Sequence, residues 1–341
     1  MAERYTSPLR RAVIATLLAA GALAVTLTAG VSLGSSRIDL WAALVGEDET
    51  ARQILVHARL PRVALAVLTG GALSLAGVTF QALLRNPLAT PYTLGISSGA
   101  SFGAVLAIVG GQALGLAAMP TGSVPLMAFV GAGAAVGISY LIARRRGPSL
   151  PTSTLLLGGV CIAFFFGAMT LFVHYIADLG QSYLMMRWLM GSLDVGDLGA
   201  MAPVVPMVVG GTAILFAIAR HLNLLAGGEA VALSRGVDVR RIQQLAYFAA
   251  SLITAAVVGV AGPIGFVGLV VPHTVRLLVG PDHRVLMPTA ILAGAAFLVL
   301  CDLAGRTLIA PTEIPVGVIT AMTGGPFLVW LLRRHTRGES W

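Results

Sequence analysis

The chain has 341 residues, 57% of them hydrophobic and only 11% charged, with a mean hydropathy of +0.90; a soluble domain carries about 25% charged residues, so this composition belongs to a membrane protein. The net charge is +8 and every basic side chain is arginine, since no lysine occurs. That rules out a phosphate-gripping GxxxxGK[ST] loop in this chain, and it fits membrane-facing loops of one sign better than a nucleic-acid surface.

Apolar runs recur from end to end, each close to the ~20 residues that cross ~30 Å of hydrocarbon as a helix. The ~10-residue alternating segments of a barrel are missing. The fold class is therefore all-α: one transmembrane domain over residues 1–341 with ten membrane-spanning helices. A short basic stretch with Arg4, Arg10 and Arg11 precedes the first span, 13–33, which reads as an uncleaved anchor because further spans follow. Residues 35–58 are polar, with Glu47-Asp48-Glu49 and a short interfacial helix at 40–45. Arg59-Leu60-Pro61-Arg62 leads into the second span, 63–84. The turn from Arg85 to Pro91 is too broken by proline to be helical and joins it to the third span, 94–118. The next spans are 126–143, ending at Arg144, Arg145 and Arg146, and 154–174. Residues 175–200 are amphipathic and read as a surface or partly re-entrant helix with Tyr183 and Trp188 at the interface; Met185, Met186 and Met190 either line a path or pack. Spans 201–219, 244–260, 266–278, 285–303 and 315–332 complete the set, with a polar loop at 223–241. Pro263 and Pro272 interrupt the chain around the eighth span, where irregular backbone must be covered by protein or line a cavity.

Ten spans put both termini on one side. With the termini cytoplasmic, fifteen arginines fall on the inner side and six on the outer, the bias expected for that orientation. No Asp or Glu lies in the middle of a span; Asp302 and Glu313 sit near outer ends. Ion-coupled carriers keep ionisable groups near mid-membrane, so the pattern speaks against a secondary transporter. His174 and His273 have no Ser or Cys partner at helical spacing, and no catalytic or metal-binding residue is assigned. Cys161 and Cys301 lie in apolar runs and read as buried free thiols. Glycines at 95, 99 and 103, at 133 and 137, and at 259, 262, 265 and 268 indicate close helix packing or a small-residue lining.

RLPR at 59–62, QALLRNPLATPYTLGISSGA from Gln81, GPIGFVGLVVPHTVRLLVGPDHRVLMP from Gly262, DLAGR from Asp302 and EIPVGVITAMTGGPFLVWLL from Glu313 cover nearly the whole chain. In this order they resemble the ten-span permeases of the type II ABC importers for iron chelates, haem and cobalamin. The resemblance implies a permease subunit, not an enzyme, for a metal chelate, with a ferric siderophore favoured and haem or cobalamin close behind. It implies a homodimer in the lipid of the bacterial cytoplasmic (inner) membrane, with both termini cytoplasmic. Its partners would be two cytoplasmic ATPase subunits, which hold the ATP and Mg, and an extracytoplasmic solute-binding protein; this chain binds no cofactor and no nucleic acid.

The resemblance also implies site residues. Arg59, Arg62 and Arg306 match positions that dock the binding protein, a role suited to arginine's bidentate grip on carboxylates; read without the resemblance, they are anchors for helix ends. Asn86 and Leu88, with Thr152 and Ser153, match the cytoplasmic gate. Gly228, Glu229, Ala230, Leu233, Ser234, Arg235, Gly236 and Asp238 match the helix that meets the ATPase, with Gly236 as its C-terminal stop. The alternative is a stand-alone secondary transporter or channel for a small organic solute.

Overall fold

The structure, a computed structural model, describes residues 8–34, 36, 38–113, 122–144, 150–195 and 197–335; among them every regular element is helical. The helices are α1 (Pro8–Ser32), α2 (Leu40–Val45), α3 (Glu49–Gln53), α4 (Leu60–Leu84), α5 (Ile96–Ala113), α6 (Ser123–Ala143), α7 (Thr152–Ile176) and α8 (Leu179–Leu189). They continue with α9 (Val204–Ala217), α10 (Ala219–Ala226), α11 (Glu229–Ser234), α12 (Val239–Ala261), α13 (Val267–Val279), α14 (His283–Thr307) and α15 (Val316–His335). Seven helical stretches are long and apolar enough to cross a membrane, and α5, α13 and α15 supply three shorter apolar helices. Together they make up the ten expected spans. The part of the third span beyond Ala113 and the residues Arg145 and Arg146 lie outside the described residues.

α4 is the axis of the bundle. Twenty of its 25 residues are buried, and it packs against α12, α13 and α14. Lipid offers no hydrophobic gain for bringing helices together, so association depends on close van der Waals contact through small residues. Two glycines provide it. A Cβ at Gly70 would collide with the backbone of Gly294 in α14, and one at Gly77 with the backbone of Gly268 in α13. Against α12, Phe80 of α4 meets Tyr247 edge-on with ring centroids 6.3 Å apart. The same device joins α5 to α6, where Gly99 faces Gly131 and Gly103 faces the Met127 carbonyl. Gly133 and Gly137, expected to pack or to line a path, have nothing within 4 Å of a built Cβ; they make no close contact inside this chain.

Three expected boundaries move, each for a local reason. The helix does not start after Pro61: α3 runs through a π-helical turn at Ile54–Arg59 directly into α4. A proline inside a helix crowds the preceding turn, and the wider π turn gives it room. α7 begins at Thr152 rather than 154, because Pro151 takes the extended N-cap position. The polar loop at 223–241 is largely helical. α9 bends at Ile218 into α10, and α11 follows Gly228, whose φ is 117°.

The amphipathic segment folds as α8, opened by a reciprocal capping box between Asp178 and Gln181. Its end is wedged against the α12–α13 connection: the Ser192 N–H donates to the Ala261 carbonyl at 2.8 Å, and a Cβ at Gly262 would lie 2.6 Å from the Trp188 carbonyl. Met185 is buried, Met186 exposed. Replacing Gly77 by Ala is expected to cost about 1–3 kcal/mol through overpacking, read as a lower thermal midpoint in detergent, whereas Gly133→Ala leaves the midpoint unchanged or raises it.

Candidate functional site

At the end of the bundle where α4 begins, five charged groups converge. Arg62 donates from Nε to Asp302 at 2.8 Å and from Nη1 to Glu313 at 2.6 Å. The other Asp302 oxygen lies 2.9 Å from Arg306 Nε, an i,i+4 ion pair on α14. Arg59 and Arg306 turn toward α1. Arg59 donates to the carbonyls of Val31, Ser32 and Ser36 at 2.7, 2.6 and 2.5 Å. Arg306 donates to Gly30 at 3.1 Å and Leu33 at 3.4 Å. A helix leaves its last four carbonyls without partners, and near hydrocarbon water is scarce; two guanidiniums serve the end of α1 instead.

Two of the three residues matched to docking are turned inward in this chain: Arg59 and Arg306 are each only 3% exposed and bond the end of α1, the placement of helix-end anchors. Arg62 remains at the edge of a cavity of about 290 Å³, shared with Arg187, Asp194, Glu313, Tyr183 and Met190. Arg187 is exposed and pairs with Asp194 at 3.2 Å. The i,i+4 spacing of Asp302 and Arg306 was readable in the sequence; the partnership of Asp302 with Arg62, 240 residues away, was not.

At the opposite end, where α4 stops, the expected gate and coupling residues come together. Arg85 ends α4 in the left-handed region, with φ 47°. Asn86 then forms a tight turn: its Oδ1 accepts from the Leu88 N–H at 2.9 Å, and its carbonyl accepts from the Ala89 N–H at 3.0 Å. The following 3-10 turn at Pro91–Leu94 lies on α7, where a Cβ at Gly159 would sit 2.6 Å from the Thr93 carbonyl. Thr152 and Ser153 occupy the first turn of that same helix rather than a loop. The two segments expected to form the gate thus both border α7.

α11 ends as expected at Gly236. The Gly236 N–H donates to Leu233 and the Val237 N–H to Ala232, at 2.9 and 3.1 Å, with Gly236 at φ 74°; this is the Schellman arrangement. Ala232 faces inward, while Val231 and Leu233 are each 46% exposed and Ala230, Ser234 and Arg235 are also exposed. Asp238, expected at the same contact, is exposed and caps α12 by accepting the Arg241 N–H at 3.0 Å. Glu229 points back into the protein: its Oε1 takes the Arg85 guanidinium at 3.1 Å and the Gln243 amide at 3.4 Å. Nothing in the sequence pattern marks Gln243.

α10 is tied down nearby. The Asn223 amide donates to Asp282 at 2.7 Å, and its oxygen accepts the His283 N–H at 2.8 Å. Burial works against the Asp282 carboxylate, but the Asn223 amide, the Arg284 N–H and the Arg284 charge hold it below the usual carboxylate range.

Between the two ends runs an apolar surface. A cavity of about 460 Å³ is lined by Ser98 and Ser101 of α5, by Ala163, Phe164, Gly167 and Leu171 of α7, and by Leu189. A second, of about 450 Å³, takes Leu189 and Met190 with Pro263 and with Gly317, Val318, Ala321 and Met322 of α15. Met190 therefore lines two cavities, while Met185 packs. Small and apolar linings of this kind offer a bulky solute little to bind.

The family model described as the FecCD transport family matches residues 17–334. The chain is 45% identical over 289 residues to the cobalamin import system permease of Halobacterium salinarum, covering 84% of this chain and 75% of that one. It is 38% identical over 295 residues to the hemin transport system permease of Yersinia pestis, covering 84% and 85%. A solved structure of a metal-chelate type ABC transporter in an inward-facing conformation superposes with a TM-score of 0.82 at 28% identity, covering 94% of this chain and 99% of that one.

Removing Asp302 leaves the buried Arg306 guanidinium without its carboxylate and Arg62 with Glu313 alone, so Asp302→Ala is expected to cost about 3–5 kcal/mol. Breaking the exposed Arg187–Asp194 pair should cost at most about 1 kcal/mol; thermal unfolding of the two variants side by side measures the contrast.

Proposed function

Because the chain belongs to the FecCD transport family, we propose that it forms a homodimeric permease that imports a metal chelate. The chain is a multi-pass membrane permease of the ABC importer class, and that class works with an ATPase and a binding protein. In this reading two ATPase subunits bind and hydrolyse ATP with Mg on the cytoplasmic side, at the Glu229 end, and both termini face that side. The solute-binding protein meets the Arg62 end. The cargo is of the class that includes ferric siderophores, haem and cobalamin; the functions of the relatives, cobalamin and hemin import, and the metal-chelate transporter of like fold support that class.

The observation that carries the ATPase contact is α11. It is a short helix closed at both ends by glycine, standing beyond the spans, with Val231 and Leu233 turned outward. Exposed apolar side chains on a polar loop mark a surface meant for a partner. For docking, the support shifts to the Arg62–Arg187 cavity, since Arg59 and Arg306 are spent on α1. There a binding-protein carboxylate would compete with Asp194 for an exposed guanidinium, and electrostatic steering would make the encounter salt-dependent. The apolar surface from Ser98 to Met322 is the proposed path, and Asn86, Leu88, Thr152 and Ser153 the proposed gate below it.

Reconstitution in proteoliposomes tests the whole. Uptake of cobalamin, haem or a ferric siderophore should require the ATPase subunits, the binding protein and ATP; uptake by this chain alone would establish the stand-alone transporter instead. Val231→Asp with Leu233→Asp is expected to abolish co-purification of the ATPase while leaving the thermal midpoint unchanged. Arg187→Glu should weaken binding-protein affinity at low salt and much less at high salt.

A further inference from the structure

The polar contacts at the Glu229 end form one connected path. Gln243 of α12 is fully buried, at 0% exposure. Its Nε2 donates to Glu229 Oε1 at 3.4 Å, and its Oε1 accepts the buried Leu150 N–H at 2.6 Å. Leu150 immediately precedes Pro151, the N-cap of α7, and so holds the backbone from which Thr152 and Ser153 start. The same Glu229 oxygen binds Arg85 at 3.1 Å, and Arg85 immediately precedes Asn86. One carboxylate oxygen on α11 thus grips the root of both segments.

Two features show that these contacts position the backbone rather than merely fill space. Arg85 is a non-glycine residue with φ 47°, a conformation L-residues rarely adopt and one that persists only where the surroundings hold it. It sets the direction in which the Asn86 turn leaves α4. On the other branch, a buried backbone N–H is served by a side chain 93 residues away, although nearby turns usually meet that need within the loop. The two bonds of Gln243 also differ. The 2.6 Å bond to Leu150 is tight, and the 3.4 Å bond to Glu229 is at the long end for a hydrogen bond, so the joint that yields first is the one at α11.

We propose that Glu229 is a fork with two separate arms: Arg85 transmits movement of α11 to the Asn86–Leu88 turn, and Gln243 transmits it to Thr152–Ser153. Arg85 and Gln243 are then positioning residues for the gate, neither touching cargo nor the ATPase. This rests on the reading of α11 as the ATPase contact and of the two segments as the gate. It adds that each half of the gate has its own arm and can be disconnected without the other.

The experiment uses the complete transporter with its ATPase subunits in nanodiscs. Cys161, expected from the sequence to be buried but exposed in the structure, is first replaced by Ser, and single cysteines are placed at Leu88 or at Ser153. The readout is the rate of maleimide labelling with and without ATP, alongside ATP hydrolysis and the thermal midpoint. Gln243→Leu should abolish the ATP-driven change at Ser153→Cys, keep that at Leu88→Cys and retain ATP hydrolysis. Arg85→Gln, at a surface position that tolerates change, should do the reverse, and Arg85→Lys should restore the response at Leu88→Cys. If either variant silences both positions, or silences neither, the two-arm fork is wrong. If Gln243→Leu instead lowers ATP hydrolysis and the thermal midpoint together, Gln243 is only a core residue and the inference falls. If ATP changes neither rate in the parent, the gate assignment fails, and the fork with it.

Discussion

The contact of α4 with α13 and α14 through bare backbone is the constraint on which the rest depends. Gly77 against Gly268 and Gly70 against Gly294 leave no room for a side chain between the helices. Such packing is what lipid-embedded helices have in place of hydrophobic collapse, and it makes α4 a stiff rod through the protein. Arg62 sits at one end of that rod and Arg85 at the other. Whatever meets the protein at either face therefore acts on groups fixed to the same helix.

The charged groups follow the logic of a low-dielectric solvent. A lone charge or an orphaned carbonyl is expensive there, and the two problems solve each other at the Arg59 end. The α1 carbonyls occupy Arg59 and Arg306, and Asp302 offsets the charge of Arg62 and Arg306. Arg59 and Arg306, matched by resemblance to docking positions, are buried against the end of α1. The Glu229 end is the converse. There Glu229 of α11 looks inward to Arg85, while Val231 and Leu233 are turned outward beside the exposed Ser234.

The apolar surface along α5, α7 and α15 joins the two ends. Its lining is small, aliphatic and aromatic, with Phe164 as its ring, Ser98, Ser101 and Thr170 as its hydroxyls and no charged side chain, and so carries no chemistry that would name a cargo. In the proposed import, selectivity among chelates would reside in the binding protein, and this chain would contribute the passage.

The amino-acid sequence by itself determined the class of protein, the number of spans and most of their limits, because length and hydropathy respond to membrane thickness and little else. It also located the α11 helix and its glycine stop, since capping is a local rule, and it placed the Asn86 turn, since proline forbids a helix there. It misjudged the start of α7 and the helix through Pro61, where a neighbouring turn relieves the local rule. Tertiary structure alone decided which glycines pack, which arginines are buried, and that Glu229 meets Arg85 and Gln243. Those outcomes depend on which helices become neighbours, and partners separated by 144 or 240 residues leave no periodic trace in the chain.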